Sequence, residues 1–204
     1  MDADGRRWIA DEDKPQSQQM KKLIFREAVD LDYPKIREIH NFNVRGKQLN
    51  LDRGFLLADT SETEILTKVN QGTRYFIAVD STEQVLGFLS LAKPIITADF
   101  LDLIRWENGG NPEQVLQKNH FYIPVVATRW DVMGQGVAQF LYESLASQFP
   151  ATCFSCFIVT QPIYNQRSIE FHQKQGFSQI GRLKQDIFLD MKNYESVLMF
   201  KPAD

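Results

Sequence analysis

The chain has 204 residues, a net charge of −3 and a pI near 5.7. That length suits one domain, able to bury roughly 70% of its unfolded surface without a disulfide or metal staple. The mild acidity argues against a nucleic-acid footprint, and no apolar stretch approaches a membrane span or a signal-peptide core.

Residues 1–20 are polar and unpatterned around Trp8 and Ile9, and read as a leader ahead of a single domain over residues 21–204. The cytoplasm is the simplest location. Leu23 to Glu27 reads as a strand. Pro34 suits the first turn of a helix, Asp32 stands nearby as a cap, and Ile36, Ile39 and Phe42 or Asn43 line one face. Ser61 to Glu64 is a capping box, opening a helix through Ile65, Leu66 and Val69 that Gly72 ends. Tyr75 to Val79 and Val85 to Leu91 read as the two strands of a hairpin. Between Pro94 and Asn119 the spacing predicts a helix over Phe100 to Trp106, a loop at Asn108 to Pro112, and a further helical turn or two after Glu113.

Phe121 to Thr128 is β-branched and aromatic, which predicts a buried strand. Val137, Phe140, Leu141, Leu145 and Phe149 then recur at helical spacing. Cys153 to Val159 is the next strand. Its two cysteines lie three apart and so face opposite sides, which excludes a shared metal or an easy bridge. They read as small buried apolar residues. On the helix that follows, Asn165, Ser168, Ile169 and His172 share one face, Asn165 stands at the N-cap and Gly176 at the C-terminus. Phe177 to Leu183 and Tyr194 to Phe200 read as a final pair of strands. No cluster of ligating side chains points to a metal.

Met133-Gly134-Gln135-Gly136-Val137-Ala138 sits between an apolar strand and an amphipathic helix. Glycines admit a ligand close to backbone amides, and the positive end of the helix points at the same spot, so the loop suits a pyrophosphate. A dinucleotide fold would want a third glycine at Gln139 and a carboxylate on the next strand, and neither is present.

A second segment runs Asn165, Ser168, Phe171, His172, Lys174, Gly176, Phe177. With the glycine loop, it resembles the GNAT superfamily of acetyl-CoA-dependent acyltransferases over about residues 23–201. Leu23 to Ala28 followed by Asp32 is similar to that family's first strand and first helix. The resemblance implies an α/β (α+β) fold, with a mixed, mostly antiparallel, seven-stranded twisted sheet flanked by helices and splayed between strands four and five. It implies acetyl-CoA as co-substrate, held by Val126, Ala127 and Thr128, by Met133, Gly134, Gln135, Gly136, Val137 and Ala138, and by Asn165, Ser168, Phe171 and Lys174. Met133 replaces the family's Gln or Arg, so one side-chain donor to the phosphates is missing. His172 stands where the family places a tyrosine acid, and is the candidate catalytic residue.

The expected activity is acetyl transfer to a primary amine of a small molecule or a protein, with no nucleic-acid or membrane partner and a homodimer admissible. A non-catalytic acyl-CoA-binding or sensing module is the alternative. No residue stands out as general base: His120 and Asp131 lie near the ends of the fourth strand, where Asp131 equally suits a helix cap or the turn and His120 a place on the surface. The resemblance places the acceptor near Arg45, Asp52, Arg53, Phe55, Asp59, Asp190 and Glu195, whose mixed charge selects no class. The Pro94 to Asn119 segment either flanks that pocket or is a plain insertion.

Overall fold

The computed structural model describes residues 22–47 and 54–203. The expected leader, Trp8 and Ile9 included, lies outside the described residues, as do Asp52 and Arg53. The chain runs β1 (Ile24–Glu27), α1 (Tyr33–Phe42), α2 (Glu62–Asn70), β2 (Arg74–Val79), β3 (Val85–Leu91), α3 (Ala98–Asp102) and β4 (Ile104–Trp106). It continues through α4 (Pro112–Val115), β5 (His120–Tyr122), β6 (Val126–Thr128), α5 (Val137–Gln148), β7 (Cys153–Gln161), α6 (Gln166–Lys174), β8 (Ser178–Phe188) and β9 (Met191–Lys201).

Local chemistry sets several boundaries. Ser61 and Glu64 cap α2 reciprocally. The Gly72 amide bonds the Val69 carbonyl and the Thr73 amide bonds that of Lys68. Gly72 adopts the left-handed φ of +93° that such a helix stop requires. Gly176 and Phe177 close α6 in the same way, onto Gln173 and His172. Asp32 is no side-chain cap of α1. Its carboxylate takes the Val29 amide at 2.8 Å and both terminal nitrogens of Arg26, which holds it below its ordinary pKa despite burial.

The strands form two sheets, not one seven-stranded sheet. One has the order β1-β2-β3-β6, the other β4-β8-β9-β7-β5. All pairs are antiparallel except β5 with β7, joined by the crossover through α5. The expected fourth strand is broken at Pro124, which has no N–H for a ladder. Its first half, β5, belongs to one sheet, and its second half, β6, to the other. The expected helix over Phe100 to Trp106 also divides. Only its start is helical, and Ile104 to Trp106 pair with Gly181 to Leu183. At Gly181 a Cβ would stand 2.7 Å from the Ile104 side chain, so the small residue admits that close pairing.

Helix α5 closes the core across both sheets, where Leu141 and Leu145 meet Phe76, Leu89, Phe154, Ile158 and Met199. Helices α1 and α2 cover the other face of the first sheet through Ile36, Ile39 and Ile65 against Ile77 and Phe88. The 94–119 segment packs Ile104 and Val115 on Ile180, Leu198 and Phe200 of the second. Burying a side chain of this size stabilises by about 1.5–3 kcal/mol. Between the two sheets the layers part, and the cavity lies there.

Candidate active site

The glycine loop adopts the conformation its composition predicts. Gly134 and Gly136 have φ of +79° and +84°, and a Cβ built on either would meet nothing within 4 Å. Gly136 is the N-cap of α5 and offers no capping side chain. The first amides of the helix therefore face open space at its positive end, which suits an anionic ligand. Met133, Gly134, Gly136, Val137 and Ala138 line a cavity of about 1270 Å³. Gln135 does not line it, and turns its amide back to the Asp131 carbonyl at 3.0 Å.

The break at Pro124 builds the second wall. The Ile123 amide bonds the Ser155 carbonyl at 2.8 Å, and beyond it β6 leaves β7 and pairs with β3. The Val125 carbonyl and the Arg129 amide both bond β3, to Ser90 and Leu86. By the alternation of an antiparallel ladder, the Ala127 backbone also turns to β3, while the backbones of Val126 and Thr128 turn into the fork. There the Thr128 carbonyl accepts from Asn43 Nδ2 at 3.0 Å. All three of these β6 residues line the cavity.

Helix α6 supplies the third wall through Asn165, Ser168, Phe171 and His172. Asn165 holds the N-cap position without capping. Its Nδ2 donates to the Phe55 carbonyl at 3.0 Å, and its Oδ1 is buried without a protein partner. His172 is 3% exposed and boxed edge-on by Tyr142, Phe171 and Phe177. Its Nδ1 faces the Ser168 carbonyl at 2.6 Å and so carries the hydrogen. Nε2 is then the acceptor for the Tyr142 hydroxyl at 2.8 Å. Burial pulls the pKa of His172 down to about 4, against the Ser168 bond, so the ring is neutral at pH 7. Lys174 is exposed and outside the cavity lining.

Apolar walls come from Phe55, Leu57, Ile96, Phe100, Ile104, Phe157, Leu183 and Leu198 at the far end of the cavity, beside the polar Gln185, Tyr194 and Ser196. The 94–119 segment thus flanks it. Among the described residues no carboxylate lines the cavity. The charges expected there are engaged elsewhere: Arg45 pairs with Asp190 and Lys47 with Asp59. Glu195 alternates with the cavity-lining Tyr194 and Ser196, and bonds Arg182, Lys184 at 2.8 Å and Thr160. At this end His120 is 2% exposed. Its Nδ1 donates to the Val115 carbonyl at 2.7 Å, which leaves Nε2 to accept the Ser155 hydroxyl at 2.7 Å. Asp131 is held by Arg129 at 2.6 Å.

A model of the acetyltransferase (GNAT) family matches residues 47–177. The chain belongs to that family. Solved GNAT-fold structures agree. A ribosomal-protein-alanine N-acetyltransferase from Brucella melitensis is 18% identical, with a TM-score of 0.60 over 88% of this chain and 99% of that one. A GNAT superfamily phosphinothricin acetyltransferase from Sinorhizobium meliloti, solved in complex with AcCoA, is 17% identical, with a TM-score of 0.59 over 89% and 88%. An N-acetyltransferase from Staphylococcus aureus Mu50 is 16% identical, with a TM-score of 0.59 over 89% and 98%. At such identities the likeness establishes the fold. No curated protein sequence matches the chain. The protein is an acetyltransferase, of a family whose acetyl donor is acetyl-CoA. Among the described residues, no group of side chains could hold a metal ion and no helix is long and apolar enough to cross a membrane.

Two features of this GNAT site, Tyr142 and the bond between His120 and Ser155, escape sequence reading. Tyr142 follows Leu141 in a helix whose apolar stripe already accounts for burial. The His120–Ser155 pair spans 35 positions, so no local spacing reveals it.

Proposed function

We propose that the chain transfers the acetyl group of acetyl-CoA to a primary amine carried on a compact, largely apolar acceptor. The observation that carries this reading is that the open glycine cradle, the turned-out β6 backbone and the apolar walls of the far end share one cavity. Acetyl-CoA, when bound, supplies the acetyl group as a thioester.

The amides opening α5 would hold the pyrophosphate, with Met133, Gly134, Gly136, Val137 and Ala138 as its cradle and Gln135 turned away from it. Backbone groups of Val126 and Thr128, with Ala127 between them, would pair with the pantetheine amides, and Asn165, Ser168 and Phe171 would edge the same ligand, with Lys174 outside the cavity. His172 would serve the sulfur's developing charge only by releasing its Nδ1–H from the Ser168 carbonyl, to which it donates in this structure. Tyr142, donating to Nε2, fixes the tautomer that puts the hydrogen on Nδ1.

The acceptor reading rests on the walls. An ammonium group remote from the reacting amine would find no described carboxylate in the cavity and would pay desolvation without a partner. An aromatic or aliphatic monoamine fits that lining. The test is CoA release from acetyl-CoA with a panel of apolar monoamines, polyamines and lysine- or N-terminus-bearing peptides. Higher kcat/KM for apolar monoamines is expected. Preference for polyamines sinks the acceptor class, and no turnover with any amine sinks the reading.

A further inference from the structure

We propose that Ser155 and His120 form the proton relay that takes the acceptor amine's proton, an inference that rests on the acetyltransferase reading above. Three groups stand in line: the Ser155 hydroxyl, the His120 ring at 2.7 Å, and the Val115 carbonyl at 2.7 Å behind it. A hydroxyl, a base and a group that orients the base is the arrangement that moves a proton. Both side chains are buried, yet both border the cavity, at the point where β5 and β7 part. With its own hydrogen given to His120, the Ser155 oxygen has lone pairs left to accept from an amine.

The balance is simple. As the amine nitrogen bonds to the acyl carbon, the electrons of the carbon–sulfur bond leave with CoA as the thiolate, which takes a proton, and the amine's N–H bond breaks towards Ser155 Oγ. The Ser155 hydrogen passes to His120 Nε2, and the imidazolium keeps its Nδ1–H on the Val115 carbonyl. The proton returns to solvent as product leaves. Neutral His120 is the form required to start. Burial holds its pKa below the ordinary value, opposed by the Val115 bond and aided by the Lys93 ammonium. The Phe200 ring lies 6.0 Å from this histidine's ring, and Cys153 is its partner across the ladder, with a thiol pKa that burial pushes up. Lys93 donates to the His120 carbonyl at 3.1 Å, so the charge nearest the ring is fixed.

The experiment compares wild type, Ser155→Ala and His120→Gln with the best acceptor of the panel. It measures kcat, the pH profile of kcat/KM, CoA affinity and the melting curve. A relay of this kind predicts a fall in kcat of roughly 10²-fold or more in each variant, with CoA affinity unchanged. The acid limb set by His120 disappears in His120→Gln. Ser155→Ala, which removes one oxygen, decides the matter if His120→Gln does not fold. Wild-type kcat in a folded variant, or an acid limb that persists in His120→Gln, overturns the relay alone. No turnover by the wild type overturns the reading beneath it.

Discussion

The Tyr142 hydroxyl donates to Nε2 of His172 across 2.8 Å, joining the middle of α5 to the middle of α6. Both groups are buried, so the bond fixes the ring in one orientation and one tautomer. His172→Phe removes the Nδ1–H and leaves the Tyr142 hydroxyl without its acceptor. Turnover is expected to fall about 10²-fold while acetyl-CoA affinity changes little, because the lost interaction matters most as charge develops on sulfur. The orphaned hydroxyl costs about 1–3 kcal/mol of stability. Steady-state kinetics beside calorimetric CoA binding check this, and unchanged kcat leaves the histidine structural.

Acid should weaken the fold through the same residue. The folded pKa of His172 is about 4, below the ordinary 6.5, so the unfolded chain binds this proton first. Stability is whole above pH 6.5 and is lost as pH falls towards 4, by up to about 3 kcal/mol. His40 and His120 are shifted the same way. Melting temperature should therefore drop less in His172→Phe than in wild type between pH 7 and 4.5. Parallel curves for the two proteins would refute the assignment.

Gly136→Glu places a carboxylate at the mouth of the cradle, in a left-handed conformation that costs an L-residue roughly 1–2 kcal/mol. The open surroundings predict that the variant still folds. CoA affinity should fall at least 10²-fold by calorimetry. Unchanged affinity in a folded variant would move the pyrophosphate elsewhere.

Thr128→Val tests the backbone reading of the fork. If Thr128 contributes only its main chain, the swap leaves CoA affinity within about twofold. A tenfold loss would assign the contact to the hydroxyl.

Gly87→Ala probes the support beneath the loop. A Cβ there would stand 2.9 Å from Val137 Cγ1 and 3.0 Å from the Ala127 carbonyl. Overpacking of this sort costs about 1–3 kcal/mol and should push the first turn of α5 outward. Lower melting temperature together with weaker CoA binding is expected. A fall in stability with CoA affinity intact would separate the loop from this support.

Signals carried by neighbouring residues were legible in the sequence. The Ser61–Glu64 box, the stops at Gly72 and Gly176 and the β2–β3 hairpin depend on local bonds, so their spacing reveals them. The Gly134–Gly136 turn is local in the same sense. Phe121 to Thr128 misleads because both halves of a broken strand are apolar, and only the assignment of each half to a different sheet separates them. Ile104 to Trp106 follows a helical turn, and three residues are too few to show a period of two. His120 and Tyr142 carry their roles in partners 35 and 30 positions away, which a single chain's periodicity does not encode.

The break at Pro124 also has a dynamic consequence. Two hydrogen-bonded ladders end side by side there, and β6 and β7 pair within different sheets and not with each other. A linear, amide-bearing ligand in that seam would act as a borrowed strand between the two sheets. Amide exchange would register it selectively. Protection should rise at Val126 and Thr128 when the seam is filled, while Ala127, already laced to β3, exchanges slowly with or without the guest.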